Sequence, residues 1–95
     1  MGLSKTVQTP LEHPCYAGHF PGRPVVPGVL LLELVTQVIG RGAPTLIDGV
    51  KFHRALNPGQ SFELSLEASG ERVRFRCQLD AAPVAEGVFG FGDRG

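Results

Sequence analysis

The chain has 95 residues, nine Lys+Arg against nine Asp+Glu, and a formal net charge of zero. That length predicts one domain over residues 1–95, with a core small enough that association would stabilise it. The balanced charge excludes the basic footprint of a nucleic-acid binder and leaves little repulsion against self-association, while two cysteines, Cys15 and Cys77, exclude a disulfide-stapled mini-protein.

The opening MGLSKTVQTP lacks the apolar stretch of a secretory signal, so a cytoplasmic protein is expected. Residues 3–9 (LSKTVQT) alternate weakly and predict a first strand. Residues 10–28 form a long loop carrying Pro10, Pro14, Pro21, Pro24 and Pro27. Loops of that length are usually functional.

A helix is predicted over residues 28–39, with Pro27 at its start, where a missing N–H costs nothing. Leu30, Leu31, Leu32, Leu34, Val35, Val38 and Ile39 leave almost no polar face, so the helix is expected to be buried all round. Its polar residues, Glu33, Thr36 and Gln37, share one narrow strip. Gly40 and Gly42 end it, with Arg41 at the negative end of the dipole. Broken by Glu33, this apolar stretch is too short to span a bilayer, and no membrane association is expected.

The second half reads as strands. Leu46–Leu56 places Val50 and Phe52 on one face and Lys51 and His53 on the other; Asn57-Pro58-Gly59 is a turn. Residues 61–68 and 71–79 alternate cleanly and form a hairpin about Ser69-Gly70. Pairing Ala68 with Glu71 sets Glu67 opposite Arg72 and Glu63 opposite Arg76, with Leu66–Val73, Leu64–Phe75 and Phe62–Cys77 on the dry face. Residues 84–91 are a last strand, weakened by Gly87 and Gly90. The fold class is therefore α+β: one antiparallel sheet curled around one long apolar helix.

The chemistry concentrates in Gly18–Gln37, GHFPGRPVVPGVLLLELVTQ. His19 lies in a Gly/Pro-bounded loop, and Glu33 is a lone carboxylate in an apolar helix, where burial needs a reason. Gln37, one turn on, can hydrogen-bond Glu33. The Gly28 N–H, at the helix start, has no intrahelical acceptor and can receive a carbonyl oxygen gaining negative charge. A histidine, a carboxyl and such an amide suit proton transfers next to a carbonyl.

The segment GHFPGRPVVPGVLLLE resembles the hot-dog-fold (3R)-hydroxyacyl-acyl-carrier-protein dehydratases of the FabZ and FabA type, which pair a histidine in GHFPG with an acid 14 residues later. His19 and Glu33 keep that spacing, and glutamate resembles the FabZ branch. DGVKFHRALNPGQSFEL resembles the family's strand–Pro-Gly–strand segment. The resemblance implies His19 and Glu33 as the acid/base pair, with His19 oriented by the Val25 carbonyl and Glu33 supported by Gln37. It implies the Gly28 N–H as donor to the thioester carbonyl, and Phe20 and Val29 as further substrate-binding residues. It also implies a homodimer, or an assembly of such dimers, in which His19 and Glu33 of one site come from different subunits.

The implied reaction is dehydration of (3R)-hydroxyacyl thioesters, on acyl carrier protein or CoA, to trans-2-enoyl thioesters. It would serve fatty-acid or polyene/pigment-type biosynthesis and need no cofactor or metal. Two departures stand out: the chain is shorter than usual members, and Cys15 replaces an aromatic common near Tyr16. Three alternatives stay open: a hot-dog thioesterase, an enoyl-CoA hydratase, and a non-catalytic acyl-binding subunit. Arg23, Arg41, Lys51 and Arg54 are ordinary solvated charges or contacts to an acidic carrier. A Cys15–His19 nucleophile rests on sequence proximity alone, which is weak evidence because such pairs meet in space, and a packed free cysteine is expected instead; a zinc site at His13, Cys15, His19 and His53 matches no ligand spacing.

Overall fold

The computed structural model describes residues 2–16 and 25–92. The described elements run β1 (Gly2–Gln8), a 3-10 turn (Pro14–Tyr16), α1 (Gly28–Ile39), β2 (Leu46–Phe52), β3 (Ser61–Ser69), β4 (Arg72–Leu79) and β5 (Ala82–Gly90). The strands make one sheet in the order β1-β3-β4-β5-β2, antiparallel at every pairing. Leu30, Leu31 and Val35 of α1 join Phe62, Leu64, Phe75, Cys77 and Phe89 in one core on the sheet's inner face. The α+β layout expected from the alternation is thus present, and α1 has the bounds the sequence predicts.

The helix is less buried than its composition implies. Only Leu30, Leu31 and Val35 are fully enclosed, while Val29 is 76% exposed. Val29, Glu33 and Gln37 recur every four residues and make one exposed stripe. A single sheet covers one side of a helix, so the remaining apolar surface faces outward in an isolated chain.

The hairpin register differs from the predicted one by two residues. Ser69 pairs with Arg72 across a Gly70-Glu71 turn, so Glu67 faces Arg74, Glu63 faces Gln78, Leu66 faces Phe75 and Leu64 faces Cys77. Gly70 has φ +61°, and a glycine with positive φ in the first central position is the pattern of a type II′ hairpin turn. A shift of two keeps every side chain on its face, which is why alternation alone cannot detect it. The next turn is Asp80-Ala81, both at positive φ (51° and 65°), so β5 begins at Ala82 rather than at residue 84. That turn carries no glycine to announce it in the sequence.

β2 ends at Phe52, earlier than the Leu46–Leu56 run suggests, and it contains a bulge. Asp48 pairs with Val88 and Lys51 with Glu86, leaving one extra residue in β2 at Gly49-Val50. Gly49 has φ +59°, the left-handed residue such a bulge requires. The extra residue resets the alternation: Ile47, opposite Phe89, and Phe52, opposite Ala85, both end on the inner face. Val50 joins them, because a Cβ on the facing Gly87 would lie 2.8 Å from its Cγ2. The predicted division of Val50 and Phe52 from Lys51 and His53 holds; His53 meets Glu86 on the outer side at 2.9 Å.

Phe75 and Phe89 stack at 4.8 Å between centroids, over space left open by Gly87. Truncating Phe75, which is 0% exposed, should cost about 3–5 kcal/mol. Ala81→Gly should instead add about 0.5–1 kcal/mol by relieving the left-handed conformation. Urea denaturation of both variants checks the two signs together.

Candidate active site

The start of α1 is held from the sheet side. The Val26 N–H donates to the Leu56 carbonyl at 2.8 Å, and both side chains are buried. Pro27 has φ −64° and ψ 147°, an extended geometry ready to turn into the helix, and its carbonyl accepts from Leu30 and Leu31, each at 3.1 Å. Helical geometry then leaves the Gly28 and Val29 N–H groups with no intrahelical acceptor. They carry the positive end of the helix dipole.

Gly28 lines a cavity of about 440 Å³ together with Val26, Leu31, Phe52, His53, Arg54, Ala55 and Leu56. Its walls are apolar at the helix end and carry the polar residues His53 and Arg54 at the other. A larger depression of about 590 Å³ lies on the outer face around Arg72, Arg74 and Arg76. That one is the charged side of the hairpin and lies on the sheet face away from the helix, so the smaller cavity is the candidate site.

Glu33 sits five residues beyond Gly28, roughly 7–8 Å along the helix axis. Its side chain is exposed, contrary to the burial its apolar surroundings suggest. The expected partner is in place: Gln37 Nε2 donates to Glu33 Oε1 at 3.5 Å, the long end of the hydrogen-bond range. Thr36 Oγ1 donates to the Glu33 carbonyl at 2.7 Å, tying up its own hydroxyl on the same strip. Val25 precedes the pinned Val26 and is part-buried. His19 and Phe20 lie outside the described residues.

The structure therefore groups Gly28 and the cavity with Val26 and Phe52, and groups Val29, Glu33 and Gln37 on an exposed stripe. Phe52 is a site residue that sequence reasoning misses. The alternation marks it only as the inner face of a strand, since its approach to Gly28 depends on the Gly49 bulge.

Cys77 is 0% exposed and free, and burial pushes its thiol up to about 12 from the usual 9.0. It packs as a small apolar group, as its strand position predicts.

One antiparallel sheet packed on α1 is, among the described residues, the layout of a hot-dog domain. The chain matches the ApeI-like family, described as ApeI dehydratase, over residues 3–88, and it belongs to that family. It is 36% identical over 75 residues to the 3-hydroxyacyl-[acyl-carrier-protein] dehydratase FabZ of Haemophilus influenzae strain PittEE, a match covering 65% of this chain and 51% of that one. It is 34% identical over 97 residues to FabZ of Thermomicrobium roseum, covering 81% of this chain and 63% of that one. The chain thus spans about half the length of the first of these relatives. Among solved structures, the dehydratase heterocomplex ApeI:P from Xenorhabdus doucetiae superposes with TM-score 0.79 at 24% identity, covering 94% of this chain and 85% of that one. A point mutant of the fluoroacetyl-CoA-specific thioesterase FlK superposes with TM-score 0.70 at 14% identity, covering 94% of this chain and 82% of that one. These two likenesses establish the hot-dog fold.

With its thiol buried and held protonated by that burial, Cys77 should resist iodoacetamide at pH 8 in the native protein. It should label readily in urea, as peptide mass spectrometry of the two samples will register.

Proposed function

We propose that this chain dehydrates (3R)-hydroxyacyl thioesters to trans-2-enoyl thioesters. The observation that carries the proposal is the junction of the pinned helix start with Glu33 one and a half turns away, in a chain whose family is that of a dehydratase. Dehydration breaks a Cα–H and a Cβ–O bond, forms the C2=C3 double bond and releases water. The Gly28 N–H donates to the thioester carbonyl and stabilises the charge that develops on it as the Cα proton leaves. His19 and Glu33 divide the two proton transfers, one at Cα and one to the departing hydroxyl. Phe20 and Val29 line the acyl path, the Val25 carbonyl orients His19, and Gln37 holds Glu33. The substrate carrier is an acyl carrier protein, in line with the relatives' printed names.

The same proposal includes a homodimer. Ile47 (55% exposed), Phe52 (53%) and Val29 (76%) present apolar surface at the β2 edge and along the α1 stripe. β2 is an edge strand of the sheet, so one side of its backbone has no partner strand among the described residues. A second copy meeting β2 about a twofold axis would pair those groups and cover the stripe. His19 of one copy would then serve the Glu33 of the other. In a dimer the exposed Glu33 becomes a carboxylate enclosed at an interface, which reconciles its apolar setting with its exposure in one chain.

Hydration of a short trans-2-enoyl thioester, followed by absorbance, tests the chemistry in reverse. His19→Ala and Glu33→Gln should each lower kcat by about 10²–10⁴-fold while the protein remains folded. A folded parent that leaves enoyl thioesters untouched but hydrolyses acyl thioesters would move the assignment to a thioesterase. For the dimer, Ile47→Lys places a charge at the β2 edge. Light scattering should report twice the chain mass for the parent and a single chain mass for the variant; a monomeric parent refutes the shared site.

A further inference from the structure

The Phe52 ring packs against Gly28, the residue whose amide the proposed reaction uses, on the side that a Cβ would occupy. A Cβ built on Gly28 would meet Phe52 Cζ at 2.8 Å, Cε1 at 3.0 Å and Cε2 at 3.2 Å. The three nearest atoms to that position all belong to this one ring. The ring and Gly28 line the same cavity. The ring reaches this place because the Gly49 bulge returns Phe52 to the inner face. Bulges beside functional sites commonly re-aim a side chain in this way.

The consequence for a ligand is steric. A carbonyl oxygen accepting from the Gly28 N–H lies about 2.9 Å from that nitrogen. The acyl carbon is one bond further on, with Cα and then its substituents beyond it, in the cavity whose wall Phe52 and Gly28 share. A methylene or vinylic CH at Cα has room beside a flat ring. A methyl branch there does not, unless the ring moves.

We propose that Phe52 is a specificity-determining residue that restricts this site to acyl thioesters unbranched at Cα. The inference rests on the dehydratase reading given above and deepens it by naming a substrate class. Phe52 performs no proton transfer. It acts by excluding volume next to the Gly28 amide, and by keeping water from the oxygen that the amide binds.

The test compares hydration of the trans-2-butenoyl and trans-2-methyl-2-butenoyl thioesters by the parent, Phe52→Ala and Phe52→Leu. A methyl group fitted or refused by an apolar pocket changes kcat/KM by roughly 10–200-fold. The parent should favour the unbranched ester by at least that much. Phe52→Ala should narrow the preference by about tenfold or more, with Phe52→Leu between. The intrinsic reactivity difference between the esters is common to all three proteins and cancels in the comparison. If Phe52→Ala slows both esters in parallel and leaves the ratio unchanged, the residue is only structural and the proposal fails.

A second measurement reports the contact without turnover. The change in Tm caused by Gly28→Ala should be more unfavourable in the parent than in the Phe52→Ala background, where the added methyl meets no ring. Equal changes in the two backgrounds would refute the contact. A parent inactive toward the unbranched ester, but with the melting difference present, would remove the dehydratase reading and the substrate claim while leaving the Phe52–Gly28 packing intact.

Discussion

The hydrogen bond from the Val26 N–H to the Leu56 carbonyl, at 2.8 Å, fixes where α1 begins relative to the sheet. Val26 and Leu56 are both buried, so the bond is shielded from competing water and draws on a low local dielectric. Pro27 follows with its torsion already set, and the first helical turn closes on its carbonyl. From this anchor the positions of the Gly28 and Val29 amides follow, and so does the azimuth of the α1 stripe that carries Glu33. The segment between Leu56 and β3 is itself tied down. Thr9, 1% exposed, donates its hydroxyl to the Gln60 carbonyl at 2.9 Å, and Gln60 N–H returns to the Asn57 carbonyl at 3.0 Å. The proposed oxyanion donor is therefore braced by the end of the first strand and by the β2–β3 turn, two parts of the chain far apart in sequence.

The far end of α1 is braced differently. Gly40 closes the helix in the left-handed conformation at φ 74°, and Arg41 turns back to donate to the Gly70 carbonyl at 2.9 Å, with its guanidinium 5.9 Å from the centre of the Phe91 ring. The helix is thus clamped at both ends and packed along one side. What remains uncovered is the opposite side, with Val29, Glu33 and Gln37, together with the β2 edge. The two clamps leave that side in a defined orientation, which suits the proposed interface, where a partner's His19 would meet Glu33.

Much of this is legible in the sequence. The bounds of α1 follow from Pro27 and Gly40, and the alternation in residues 61–68 and 71–79 identifies both faces of the central hairpin. Gln37 reaches Glu33 because their spacing is one helical turn. The features that sequence does not reveal share a cause. The register of β3 with β4, the Asp80-Ala81 turn and the Gly49 bulge depend on backbone torsions at single residues, and hydrophobic periodicity carries no signal for them. The contact of Phe52 with Gly28 is hidden for that reason, although its strand face is legible from the alternation. Glu33 is more exposed than expected because the fold of one chain covers only one side of the helix, and it is the proposed dimer that would cover the other.

In the proposed dimer, each site is assembled from His19 of one copy and Glu33 of the other. Mixing inactive His19→Ala and Glu33→Gln proteins under conditions that exchange subunits tests it most directly. If the site is shared, half of the dimers become mixed and each holds one intact pair, so enoyl thioester hydration should return to about a quarter of the parent's level. If exchange is verified by mass and activity stays at the level of the separate variants, the two residues do not act across a dimer, and the account of the exposed stripe is wrong.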